Sequence, residues 1–377
     1  MSCRRALPQV PLTIALSQDA STQGSIGQMN VASSELYVRQ ATVPSIGPDG
    51  LTVLRSATVA VAGVGGVGST AAYYLARSGI GRLSLIDQDI VEPSNLQRIH
   101  SATRQDLFHP KAEILARTLS EFDPSTRIDA VVETITDSNI ERLLEDVDLV
   151  LDGLDNFRTR YILNNFAIRS KTPYLFLSAV AEQAHSALLN PPNTPCLECI
   201  MPDVSDRFEE SCETLGVSPI ITGLAGAIGA STAIQFLQGA KTRLTDEMLT
   251  VDIAGSDFLY SKLSKKKGCA ACSDLSNHER HSEPPVTLLC GEHTANALPP
   301  ERMQVRLSSV SSGIPTEAIL AKSDSVLVYR QGPRTISLFK TGRILIGGID
   351  NEAEASRVAN GIWRNLRESG LYSRIDI

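Results

Sequence analysis

A short apolar strand that runs straight into a glycine turn and then a helix constrains this chain most. Thr58–Ala62 reads TVAVA, and Gly63-Val64-Gly65-Gly66-Val67-Gly68 follows at once. Ser69–Ser78 has helical spacing, with Gly79 as its C-cap. Gly63, Gly65 and Gly68 meet the GxGxxG spacing, which allows a tight turn and brings phosphate close to backbone N–H groups at a helix N-terminus. Arg82–Ile86 is the next strand, and it ends at Asp87, where a carboxylate suits a ribose hydroxyl.

The alternation continues. Helical spacing covers Lys111–Phe122, Ile140–Leu144 and Asn156–Arg169, between strands at Ile128–Val132, Leu149–Leu151, Tyr174–Leu177 and His185–Leu189. This predicts an α/β chain: a Rossmann-like, doubly wound, mainly parallel sheet with helices on both faces and an antiparallel extension. Residues 34–275 form that domain. Residues 1–33 read as a disordered tail or an over-extended start, with Met29 as a second candidate start. The polar segment 276–285 is a linker, and 286–377 a small C-terminal α+β domain with strands at Ser325–Tyr329, Thr335–Phe339 and Ile344–Ile346 and a closing helix from Glu352. No charge falls between Thr214 and Ala240. Five glycines, Pro219 and several hydroxyl residues dilute that stretch, so it reads as a buried small-residue helix rather than a membrane span.

Alone, the glycine loop says only "nucleotide", and its commonest use is in nicotinamide-dependent oxidoreductases. The residues after it point elsewhere. Asp87-Gln88-Asp89-Ile90-Val91-Glu92-Pro93-Ser94-Asn95-Leu96-Gln97-Arg98 is followed by Pro110-Lys111, then Asp152-Gly153-Leu154-Asp155-Asn156, with Arg158 and Arg160 just beyond. Cations beside a phosphate loop suit a triphosphate whose pyrophosphate must leave. Asp155, at a strand's carboxyl end, is placed to hold magnesium or to cap the following helix. Net charge is −7, from 35 Lys+Arg against 42 Asp+Glu, which disfavours an unassisted grip on nucleic acid.

The seven cysteines include two CxxC pairs, Cys196/Cys199 and Cys269/Cys272. Two such pairs make a tetrahedral thiolate zinc site in a reducing, cytoplasmic setting; a redox dithiol is the rival. Cys212 stands outside both pairs, and Cys3 and Cys290 read as structural or incidental.

Eight segments in order resemble the ThiF/MoeB/HesA adenylyltransferases, relatives of ubiquitin-activating enzymes. They are YVRQ (37–40), VAGVGGVGS (61–69), LIDQDIVEPSNLQR (85–98), HPKAE (109–113), LDGLDNFRTR (151–160), PCLECI (195–200), SCETLGVSP (211–219) and GCAAC (268–272). The resemblance implies ATP-dependent adenylation of the C-terminal glycine of a small ubiquitin-like protein ending in Gly-Gly, with a sulfurtransferase as a further partner. It implies that Gly65 and its neighbours hold phosphates and Asp87 the ribose. Asn95, Arg98 and Lys111 would contact the triphosphate, and Asp155, next to Asn156, would hold magnesium. Family members are homodimers, and Arg39 matches an arginine that reaches the partner's nucleotide. Ile99 departs from the glutamine that many members carry.

In relatives a cysteine in the Cys212 loop forms covalent intermediates with the carrier. Here Glu209, Glu210 and Glu213 would raise its pKa while a nearby helix N-terminus would lower it, so a covalent and a packing role both stay open. Two rivals remain: the nicotinamide oxidoreductase, and a non-catalytic subunit of the same fold that only binds a carrier protein. For the C-terminal segment, with its FKTGR turn (339–343), the sequence offers carrier docking or dimer support.

Overall fold

A computed structural model describes residues 33–202, 204, 215–273, 284–289 and 293–374. Most of the tail 1–33, most of the linker 276–285, and Cys3, Cys212 and Cys290 lie outside them.

Eight strands form the main sheet: β1 (Thr58–Ala62), β2 (Arg82–Ile86), β3 (Arg127–Val131), β4 (Leu149–Asp152), β5 (Tyr174–Val180), β6 (Gln183–Leu189), β7 (Glu247–Asp252) and β8 (Asp257–Lys262). Their spatial order is β3-β2-β1-β4-β5-β6-β7-β8. The first five pair parallel and the last three join antiparallel. The parallel sheet and its antiparallel extension are thus as expected, although β7 and β8 carried no separate signal in the sequence.

Strand residues alternate between two cores, as a pleated sheet covered on both faces requires. Val59, Val61, Leu83, Leu85, Leu149 and Leu151 pack on one face, against α1 (Gly66–Arg77), α2 (Lys111–Ser120) and α4 (Pro219–Leu237). Ala60, Ala62, Ile86 and Val150 pack on the other, against α3 (Phe157–Ser170). The uncharged stretch is α4. By length and composition it could cross a membrane. Here it lies against α1 and β5, and a Cβ on Gly226 would come within 2.6 Å of the Val67 carbonyl oxygen. Its small residues therefore serve close backbone packing.

The C-terminal part forms a six-stranded antiparallel sheet from β9 (Val286–Leu289), β10 (Thr294–Ala297), β12 (Ile319–Lys322), β13 (Val326–Gln331), β14 (Arg334–Phe339) and β15 (Ile344–Gly347). A separate pair joins β11 (Met303–Val305) to β16 (Tyr372–Arg374). One face, with Leu327, Ile336, Leu338 and Ile346, packs on α5 (Glu352–Glu368) and its Trp363. The opposite face, with Val326, Val328 and Leu345, packs on Ile90 and Phe108 of the first sheet's loops. This second sheet thus sits directly on the segment that follows Asp87.

Candidate nucleotide site and cysteine cluster

Backbone contact at the ends of β1 and β4 builds the floor of a cleft. A Cβ on Gly68 would sit 1.9 Å from the Gly63 carbonyl oxygen, so no other residue fits there. Gly63 adopts φ +80°, and a Cβ on it would press on Gly153 at 2.9 Å. Gly65 differs, because a Cβ there would meet nothing within 4 Å. It is the N-cap of α1 and offers no side chain to the first-turn N–H groups. Those donors, at the positive end of the helix dipole, face open space that an anion can fill.

The residues that line the cleft include Gly63, Gly65, Asp87, Gln88, Asp89, Lys111, Glu133, Thr134, Asp155, Asn156 and Thr159. Asp87 is 7% exposed and accepts hydrogen bonds from the Val64 and Asp89 backbone N–H groups, each at 2.7 Å. It therefore pins the glycine loop to the end of β2. Burial pushes its carboxyl up to about 6, against the pull of Lys111. Lys111 Nζ donates to Asp89 Oδ2 at 3.2 Å. Burial alone would lower its pKa, but Asp89, Asp87 and Asp155 together raise it, so it stays charged.

Asn156, rather than Asp155, caps α3: its Oδ1 accepts from the Thr159 N–H at 2.9 Å. That leaves Asp155 exposed at the lip of the cleft, where its carboxylate accepts a 3.3 Å hydrogen bond from Asn156 Nδ2. An exposed carboxylate at a strand end suits magnesium beside phosphates. Arg160 does not serve the triphosphate in the way its position suggests. It is 4% exposed, ion-pairs with buried Asp152 at 3.2 Å and donates to the Leu177 carbonyl at 2.9 Å, beneath the loop that carries Asp155.

Besides Gly66 and Gly68 in the first turn of α1, three candidates among the described residues fall outside the cleft lining of a single chain. Asn95 is 3% exposed, and its Oδ1 accepts from the Glu92 N–H in a capping box. Arg98 donates to the Ser94 carbonyl at 2.9 Å. Arg39 lies exposed on the short helix Val38–Ala41. Sequence reasoning had no role for Gln88 or Thr134, which are joined side chain to side chain at 2.8 Å. Nothing in the local pattern marks them.

The CxxC pairs meet away from this cleft. Cys196 lies 3.7 Å from both Cys199 and Cys269, sulfur to sulfur, and Cys199 lies 3.6 Å from Cys272. Disulfide sulfurs sit about 2 Å apart. Four zinc–thiolate bonds of about 2.3 Å at tetrahedral angles need edges of about 3.8 Å. The cluster therefore fits zinc. Without a cation, burial and neighbouring sulfurs push the Cys272 thiol up to about 11 and Cys196 higher still.

These features define a nucleotide-binding α/β fold with a cation-and-carboxylate cleft and a separate four-cysteine clip. The ThiF family matches residues 37–272, and the chain belongs to it. It is 33% identical over 237 residues to the sulfur carrier protein ThiS adenylyltransferase of Escherichia coli, covering 63% of this chain and 94% of that protein. A Bacillus subtilis protein of the same name matches over 328 residues at 26% identity, covering 85% and 97%, so its match extends into the C-terminal part. In fold the chain resembles E. coli MccB in complex with MccA-N7isoASN, with a TM-score of 0.57 at 21% identity over 66% of this chain and 77% of that one. The activity class these curated relatives share, adenylyl transfer, agrees with the enzyme class read from the sequence.

Proposed function

We propose that this chain adenylates the C-terminal glycine of a ubiquitin-like sulfur-carrier protein at the expense of ATP. The observation that carries the reading is the convergence of an uncapped helix N-terminus at Gly65 with Lys111 and exposed Asp155 in one cleft. A nicotinamide cofactor needs no such pairing of cation and metal-ready carboxylate. The names of the curated relatives support the class of acceptor.

In the proposed reaction, the carrier's terminal carboxylate oxygen attacks the α-phosphorus of ATP. The bond from α-phosphorus to the bridging oxygen breaks, pyrophosphate leaves with that electron pair, and an acyl-adenylate forms. The Gly65 turn and α1 N-terminus hold phosphate oxygens, and Asp87 accepts from the ribose. Lys111 offsets charge on the leaving pyrophosphate. Magnesium, held by Asp155, would supply further positive charge. Asn95, Arg98 and the partner's copy of the Arg39 side chain join the triphosphate in a cytoplasmic homodimer. Cys196, Cys199, Cys269 and Cys272 hold a structural zinc. The adenylate then feeds sulfur transfer, with a sulfurtransferase as further partner, or protein conjugation, and Cys212 is the candidate thiol for a covalent step. Residues 34–275 carry this chemistry.

Hydroxylamine trapping tests the reading. A carrier incubated with the enzyme, ATP and magnesium should yield a hydroxamate at its last glycine. No hydroxamate with any Gly-Gly carrier, despite tight ATP binding, would favour the binding-subunit reading.

A further inference from the structure

The turn between β14 and β15 delivers a buried arginine to the wall of the nucleotide cleft, from outside the segment that matches the ThiF family. Arg343 is 2% exposed. Its Nε donates to Asn296 Oδ1 at 2.7 Å, and its Nη1 donates to the Gln88 carbonyl. Its Nη2 lies 3.6 Å from Asp89 Oδ1, while the other oxygen of Asp89 accepts from Lys111. The turn is braced from behind, where Trp363 Nε1 donates to the Gly342 carbonyl at 2.7 Å. The guanidinium also lies over the Phe339 ring, 4.5 Å from its centre.

Charge counting gives this chain of contacts its meaning. Asp87, Asp89, Glu133 and Asp155 put four carboxylates into the cleft lining, where Lys111 is the one cation among the described residues and is hydrogen-bonded to Asp89. Without Arg343 the wall carries a net negative charge toward a polyanionic substrate, and Lys111 is held as Asp89's sole counter-ion. With Arg343, Asp89 is shared between two cations and Lys111 keeps positive charge to offer phosphate. We propose that Arg343 is a positioning residue for the nucleotide site: it neutralises Asp89 and holds the Gln88–Asp89 backbone, so that the C-terminal sheet completes the triphosphate site. This rests on the reading of the cleft as an ATP site.

The test is calorimetric binding of magnesium–ATP to the full chain, without a carrier. Arg343→Ala should weaken ATP by about 10- to 100-fold, the range of a lost buried charge contact. In ATP–pyrophosphate exchange with the carrier present, the KM for ATP should rise alike while the KM for the carrier stays put. Arg343→Lys should recover much of the loss by restoring charge. Adding Asp89→Asn to Arg343→Ala should also recover affinity, since the unanswered carboxylate is gone. Val328→Ala loosens the same sheet-to-loop contact without touching Asp89 and should shift ATP affinity less than about twofold. Should Arg343→Ala not fold, Arg343→Gln keeps a donor for the Gln88 carbonyl and is judged by the same criteria. Unchanged ATP affinity in the Arg343 variant, no rescue by Asp89→Asn, or an equal loss in Val328→Ala overturns this inference alone. Failure of the unaltered chain to bind ATP overturns the cleft reading and this inference with it.

Discussion

Asp155 shows how one residue's role is decided by its neighbour. Asn156 takes the helix cap, so the Asp155 carboxylate stays at the cleft lip. Asp155→Ala should therefore abolish ATP–pyrophosphate exchange while leaving thermal stability and zinc content unchanged. Full exchange in that variant would remove the magnesium assignment. Asp87 predicts a pH effect. Burial raises its carboxyl to about 6, so the ionised acceptor is lost as pH falls through that value. The KM for ATP should rise below about pH 6, as an exchange assay across pH 5–8 would show. The linked stability runs the other way: a raised folded pKa favours the fold at low pH, and this is lost as pH rises through about 6. The meeting of Asp87, Lys111 and Asp155 in one cleft was legible because each stands near a strand or helix end that periodicity locates. Arg160 was misleading, because its burial beneath the loop depends on Asp152 and β5, which no local pattern reports.

At the scale of elements, glycines and caps set the loops that hold the site. Gly68→Ala forces a methyl into the Gly63 carbonyl and should cost about 3 kcal/mol or more in denaturant unfolding. Tyr37 and Arg55, from the segment before β1, clasp Asp123 after α2, at 2.8 and 2.9 Å. Burial would raise the Asp123 carboxyl. The Ser125, Tyr37 and Arg55 hydrogen bonds outweigh it and hold the group at about 2. Its contribution is thus present above the ordinary value of 3.8 and lost as pH falls toward 2. Asp123→Asn should destabilise by about 1–2 kcal/mol at pH 7, with the gap to wild type closing below pH 4. The YVRQ segment was legible as a motif, but its clasp was not. Strand β8 escaped notice because every one of its residues is exposed, so burial imposes no alternation on its sequence.

For the molecule as a whole, two long-range clips join distant chain segments. The cysteine cluster ties 196–199 to 269–272 against Ile168 of α3. Cys269→Ser should lose the zinc and lower the melting temperature, as metal analysis and calorimetry would show, because binding energy at such a site is folding energy. This clip was readable, since paired CxxC spacing names its ligands wherever the chain brings them. The Arg343 clip was not, for it joins residues 255 positions apart through a turn with no local signature of a partner. The central claim, that one cleft activates a carrier's terminal carboxylate with ATP, is tested most directly by ATP–pyrophosphate exchange with Gly-Gly carrier proteins added one at a time. The account predicts exchange that requires one carrier and vanishes when its last glycine is removed. Exchange that proceeds without any carrier, or none with any of them, would contradict it.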